Sequence, residues 1–183
     1  VITPDTALAD LLTSRIRDVP DYPKPGVLFK DIAPLLADAE AFAALTQALA
    51  DRAKALGATK VVGLEARGFV LAAPAAFAAG LGFVPIRKKG KLPGEVFAQS
   101  YDLEYGSATL EVQCDAFAPG ERVLVVDDVL ATGGTIAASL DLVQRTGAQL
   151  VGVVVLMELG FLDGRERLAE HLGGAPLETL ITV

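Results

Sequence analysis

The 183-residue sequence predicts an α/β fold: a parallel sheet with flanking helices, a small N-terminal hood and an inserted flexible hairpin or loop. Three observations predict it. From Lys60 onward, short apolar runs alternate with helical patterns, as in a sheet covered on both faces. Ahead of them, four prolines fall between Pro20 and Pro34 and hold that segment extended. Between Lys88 and Phe117 the alternation gives way to a polar, aromatic stretch centred on Gly106.

Each element follows from its residues. Leu8, Leu11, Leu12 and Ile16 share one face of a helix from Thr6 to Ile16. Asp38 is placed to cap a helix that ends at Gly57, with Phe42, Leu45, Leu49 and Leu56 as its buried stripe. "KVVGL" (Lys60–Leu64) is a strand, "EARGF" a loop, and Phe69 to Ala79 a helix of small residues. "FVPI", "RVLVVD" and "LVGVVVLM" are further strands, the last two separated by a helix from Ile136 to Thr146. Asp163 and Glu166 have capping-box spacing for a final short helix. The expected division is a hood of residues 1–35 and an α/β core of 36–183, with a lid loop at about 90–115.

Composition narrows the function. Apolar residues make up 52% and charged residues 21%, the balance of a globular chain. A net charge of -7 does not attract nucleic acid or an anionic membrane. The start of the sequence lacks the basic and apolar regions of a secretion signal, and a single cysteine, Cys114, fits a reducing, cytoplasmic setting. Four of the sixteen basic residues nevertheless gather in "RKKGK", Arg87 to Lys91, which reads either as a solvated loop or as a local anion site in an acidic protein.

The chemistry concentrates in "VLVVDDVLATGGT", Val123 to Thr135. Ligands of parallel sheets bind at the carboxyl ends of strands, where Asp127 and Asp128 are expected. The turn Ala131, Thr132, Gly133, Gly134, Thr135 leads into a helix. Its glycines let backbone N–H groups converge on an anion, and its threonines add hydroxyl donors. Two carboxylates beside a phosphate site repel the phosphate unless they hold another part of the same ligand. Ribose hydroxyls or a divalent metal meet that need. The motif is neither the triphosphate loop nor the dinucleotide turn. It reads as a site for a ribose phosphate.

This stretch resembles the signature by which type I phosphoribosyltransferases bind 5-phosphoribosyl pyrophosphate (PRPP). "VPDYPKPGVLFKDIAPLL", "GLEARGF", "IRKKGKLPG", "SYDLEYG" and "ELGFLDGR" resemble the adenine branch of that family in order and spacing, from about Leu12 to Leu168. The resemblance implies purine salvage: adenine and PRPP give AMP and pyrophosphate, with magnesium, in a homodimer. It implies that Asp127 and Asp128 meet the ribose and that residues 131–135 hold the 5-phosphate. Arg67, Arg87 and Lys91 would face pyrophosphate, Arg87 from across a dimer interface, with Tyr105 touching it as well; Lys88, by its place in the same basic run, is a further candidate to neutralise it. Glu104 would lie near the purine and assist proton movement. Phe29 would stack on one face of the base and Leu159 on the other, while the backbone of Leu28 and Lys30 reads its edge. Two alternatives stay open: a phosphoribosyltransferase for another base, such as xanthine or hypoxanthine and guanine, and a non-catalytic PRPP-sensing regulator. His171 and Lys89 are given no role.

Overall fold

The protein was analysed as a computed structural model, which describes residues 6–102 and 106–183. Its elements run α1 (Thr6–Ser14), β1 (Arg17–Pro20), β2 (Leu28–Asp31), α2 (Ala33–Ala37), α3 (Ala39–Ala55), β3 (Lys60–Leu64), α4 (Arg67–Ala79), β4 (Gly82–Lys88), β5 (Val96–Asp102) and β6 (Ser107–Gln113). They continue with β7 (Arg122–Leu130), α5 (Gly134–Arg145), β8 (Gln149–Glu158), a 3₁₀ turn (Gly160–Leu162), α6 (Gly164–Leu168) and β9 (Leu177–Thr182). The chain forms two compact units, one reaching to Ala48 and the other starting at Leu49, so the division falls inside α3.

In the first unit, β1 and β2 form an antiparallel ribbon with Val19 opposite Phe29. Leu12 is fully buried, while Leu8, Leu11 and Ile16 are half-buried. The Pro-rich segment is not extended throughout, because α2 forms around Pro34. Proline is tolerated in a first helical turn, whose N–H has no partner within the helix. Asp38 caps α3 as expected: its carboxylate accepts from the N–H groups of Glu40 and Ala41, at 3.1 and 3.0 Å. The fully buried positions of α3 are Ala41, Leu45, Leu49, Ala50 and Ala53. Phe42 and Leu56 of the expected stripe are half-buried.

The second unit is built on a seven-stranded sheet in the order β5-β6-β4-β3-β7-β8-β9. Strands β3, β4, β7, β8 and β9 are parallel, and β5 and β6 are an antiparallel hairpin that joins through β4. Val84, Val62, Val125 and Val153 form one cross-strand row. Alternation then sends Val62, Leu64, Val123 and Val125 to the cluster that includes Ile136, Leu140 and Val143 of α5. Gly63 faces the other way, where a Cβ would come 2.8 Å from the Cβ of Ala72 on α4.

Four expectations change. Arg67 and Gly68 belong to the first turn of α4 rather than to a loop. Strand β7 runs past the aspartates to Leu130, so they lie within the strand and not at its tip. Asp163 makes no side-chain cap, because it sits in the left-handed region at φ 52°, which leaves no capping box. Cys114, expected as a packed strand residue, lies in a turn just beyond β6. In addition, β9 is a strand that the sequence reading did not anticipate.

Candidate active site

Parallel strands β4, β3 and β7 are neighbours, and their carboxyl ends open on one cavity of about 370 Å³. Glu65 and Ala66 follow β3, Arg67 opens α4, and Lys88 ends β4. Asp127, Asp128 and Val129 come from β7, and residues 131–135 supply the turn into α5. Every residue of the expected phosphate loop therefore lines the cavity beside both acids.

The loop fits an anion. Gly133 takes a left-handed φ of 81°, and no side chain caps the start of α5. The first N–H groups of an uncapped helix are left to a ligand, and the helix dipole favours negative charge there. Behind the loop stands Gly164, the first residue of α6. A Cβ on Gly164 would overlap the carbonyl oxygen of Ala131, and a Cβ on Gly133 would come 2.8 Å from the Gly164 carbonyl oxygen.

The acids differ from each other. Asp128 is 5% exposed and its carboxylate meets Arg67 Nε at 2.8 Å. Asp127 stays partly open to the cavity and accepts the Asp128 N–H at 3.0 Å. Burial, and then the neighbouring Asp128 charge, pushes the Asp127 carboxyl well above the usual carboxylate range. Burial also raises Asp128, against the pull of Arg67. A ligand that brings hydroxyl donors would supply what the ionised pair lacks. Gly68 packs tightly beneath it: a Cβ there would stand 2.8 Å from Asp127 Oδ1.

Among the expected pyrophosphate residues, Arg67 and Lys88 line the cavity. Arg87 is committed to Glu65, with contacts of 3.1 and 3.4 Å, and lies over the Phe69 ring. Lys91 is exposed, and its carbonyl accepts from Arg87 Nη1 at 3.3 Å. Glu65 was not singled out in the sequence. It accepts from the Lys88 N–H at 2.9 Å; burial works to raise its carboxyl, but that bond and Arg87 outweigh burial and hold it lower. Its one sequence signal is its place in "GLEARGF", two residues before Arg67. Glu104 and Tyr105 lie outside the described residues.

Of the expected base contacts, Phe29 is half-buried on β2, with its ring edge-on to Tyr22 at 5.1 Å. Leu28 is 53% exposed, and the ammonium of Lys30 pairs with Asp18 at 2.7 Å. Strand alternation aims the backbone groups of Leu28 and Lys30 toward the same edge. In the second unit, Leu159 is half-buried before the 3₁₀ turn and its N–H donates to Leu130. His171 does not line the cavity; its Nδ1 lies 2.8 Å from Asp141 Oδ1.

An acid pair and a glycine-turned loop share one cavity at the carboxyl end of a parallel sheet, and residues 34–173 match the family model described as a phosphoribosyl transferase domain. The chain is 66% identical to an adenine phosphoribosyltransferase of Streptomyces coelicolor, over 100% of both chains. It also resembles the solved Saccharomyces cerevisiae adenine phosphoribosyltransferase complexed with an imino-altritol bisphosphate and adenine (TM-score 0.88, 40% identity, 96% of this chain and 99% of that one). The Trypanosoma brucei adenine phosphoribosyl transferase, solved with AMP, pyrophosphate and ribose-5-phosphate, superposes with TM-score 0.88 at 28% identity, covering 100% of this chain and 82% of that one. The chain belongs to the adenine phosphoribosyltransferase family, a group of pentosyltransferases.

Proposed function

We propose that the chain transfers the 5-phosphoribosyl group of PRPP to adenine, giving AMP and pyrophosphate in purine salvage. The observation that carries this reading is the meeting of both acids and the whole phosphate loop in one cavity. A bond forms from the base nitrogen to the anomeric carbon as the bond from that carbon to the pyrophosphate oxygen breaks. Positive charge develops on the sugar. Asp127 and Asp128 orient its hydroxyls and stabilise that charge, while the loop N–H groups anchor the 5-phosphate. Arg67 and Lys88 face the departing pyrophosphate, and Arg87 and Lys91 are assigned to it from the family resemblance. The roles of Glu104 in proton movement and of Tyr105 at pyrophosphate rest on the same resemblance.

Among the described residues, no three His, Cys, Asp or Glu side chains gather at one point. Magnesium favours phosphate oxygens and water and needs few protein ligands, which suits a cavity lined by Asp127 and Asp128, with the third carboxylate, Glu65, held by Arg87. When bound, the metal supplies neutralisation of pyrophosphate charge.

Phe29 is assigned to one face of adenine, and Leu159 is proposed as an apolar contact for the base. Phe29→Ala is expected to raise KM for adenine about tenfold and leave KM for PRPP within about twofold. Steady-state kinetics with each substrate varied tests this, and a larger change for PRPP contradicts it.

The proposed assembly is a homodimer. Val70, Ala73, Pro74 and Phe77 form an apolar stripe along α4, with Phe77 89% and Val70 43% exposed. Stripes of this type mark interaction surfaces. Phe77→Glu is expected to weaken the dimer at least tenfold, about the effect of losing a buried aromatic anchor. Sedimentation shows the result, and an unchanged dimer contradicts it. Among the described residues no helix is long and apolar enough to cross a membrane. The cytoplasm is the proposed location, supported by the unpaired Cys114.

The reading is tested by presenting adenine, hypoxanthine, guanine and xanthine with PRPP and magnesium. Adenine should react at least about a hundredfold more efficiently than the others. Equal turnover of another purine, or no transfer to adenine, contradicts it.

A further inference from the structure

We infer that Tyr101 is a positioning residue for the sugar phosphate, its hydroxyl forming the outer half of a two-hydroxyl relay that reaches the 5-phosphate through Thr135. The inference rests on the reading of residues 131–135 as the phosphate site. Tyr101 sits near the end of β5, half-buried, with its ring packed against the core of the sheet. Thr135 Oγ1 donates to its hydroxyl at 3.2 Å. The two elements also meet at Gly134, where a Cβ would come 3.5 Å from the Tyr101 ring and 3.7 Å from the Asp102 carbonyl oxygen.

This contact is one of a series. Gln99 Nε2 donates to Asp141 Oδ2 at 3.3 Å, and Arg145 Nη1 donates to the carbonyl of Ala98. Residues 98, 99 and 101 of β5 are thus bonded to 145, 141 and 135 of α5, so the outer hairpin strand runs stitched along the helix. Of these three bonds, the one donated by Thr135 involves a residue that lines the cavity.

The chemistry of the ligand sets the direction of that bond. A phosphate dianion offers acceptors, so Thr135 serves it by donating its hydroxyl proton. That proton is the one Thr135 now gives to Tyr101. A hydroxyl both donates and accepts. When phosphate arrives, Thr135 turns its proton to the phosphate oxygen, and its lone pair takes the O–H of Tyr101. The chain then reads Tyr101 O–H to Thr135 O–H to phosphate, and each bond polarises the next. No covalent bond is made or broken.

Tyr101→Phe removes the hydroxyl and keeps the packed ring. The two hydroxyls are bonded with and without ligand, so the dissociation constant for ribose 5-phosphate should rise about two- to threefold, the part of the bond that strengthens when Thr135 is held and polarised toward the phosphate. KM for PRPP should follow, with KM for adenine unchanged. In a Thr135→Ser background, which keeps the hydroxyl, the same penalty should appear. In a Thr135→Val background, Tyr101→Phe should add nothing further. Calorimetric titration with ribose 5-phosphate reads all six proteins, the wild-type, Thr135→Ser and Thr135→Val chains each with and without Tyr101→Phe. Wild-type affinity in Tyr101→Phe, or an undiminished penalty in the Thr135→Val background, overturns the relay alone. Failure of the unaltered protein to bind ribose 5-phosphate overturns the phosphate site and the relay with it.

Discussion

Asp128→Asn should lower kcat/KM for PRPP by about 10²- to 10³-fold, the usual cost of removing one preorganised electrostatic group from a transition state. Asparagine keeps the shape and removes the charge that faces the sugar. Stability should move the other way. Burial raises the folded-state pKa of both Asp127 and Asp128 above the unfolded value. The native chain therefore keeps protons that the unfolded chain has released. Their contribution to stability is fully present below the ordinary carboxylate range and is lost as pH rises through the raised folded values. Asparagine imitates the protonated form at every pH. The Arg67 side chain is 41% exposed, so water screens its charge once that of Asp128 is gone. At neutral pH the variant should melt no earlier than wild type, the trade between activity and stability expected of a site that holds buried charge. Steady-state kinetics and thermal unfolding across acid and neutral pH test both halves. Near wild-type turnover would remove Asp128 from the mechanism, and a large loss of stability would assign it to the core.

Gly164→Ala should damage the site from behind. Its methyl group would overlap the carbonyl oxygen of Ala131 and come 3.0 Å from Leu130 Cδ1. The side chain of Leu130 can turn aside, but a carbonyl in a tight turn cannot, so the phosphate loop must shift. Overpacking of this kind costs about 1–3 kcal/mol. In a domain of this size that lowers the melting temperature by about 2–10 °C. A displacement on the order of 1 Å in a positioning group costs about a hundredfold in rate, so kcat/KM for PRPP should fall by that factor. Kinetics with PRPP varied and a melting curve check it. An unchanged kcat/KM for PRPP would mean that α6 does not support the loop.

Much of this architecture was legible because burial writes itself into apolar runs. "KVVGL", "FVPI" and "LVGVVVLM" each lie in a parallel strand of the sheet. Strand β9, "LETLIT", escaped because it lies at an edge of the sheet and mixes polar with apolar residues. Helix α2 escaped because a proline that stops a helix interior is permitted in its first turn. The turn of residues 131–135 that lines the cavity was legible because its glycines and threonines are contiguous. The pairing of Arg67 with Asp128, the hold of Glu65 on Arg87 and the Gly164 backing were not. Each joins residues distant in sequence, and sequence position carries no information about which distant partner a side chain meets. Tyr101 was hidden for the same reason, since its partner Thr135 lies 34 residues away.

The central claim is that one ligand has two faces here, a sugar on the acids and a phosphate on the loop. A crystal structure with AMP bound tests it most directly. The 5-phosphate is expected on the backbone N–H groups of residues 132–135, with the ribose hydroxyls within hydrogen-bond distance of Asp127 and Asp128. A phosphate bound elsewhere, or a ribose turned away from both carboxylates, would contradict it.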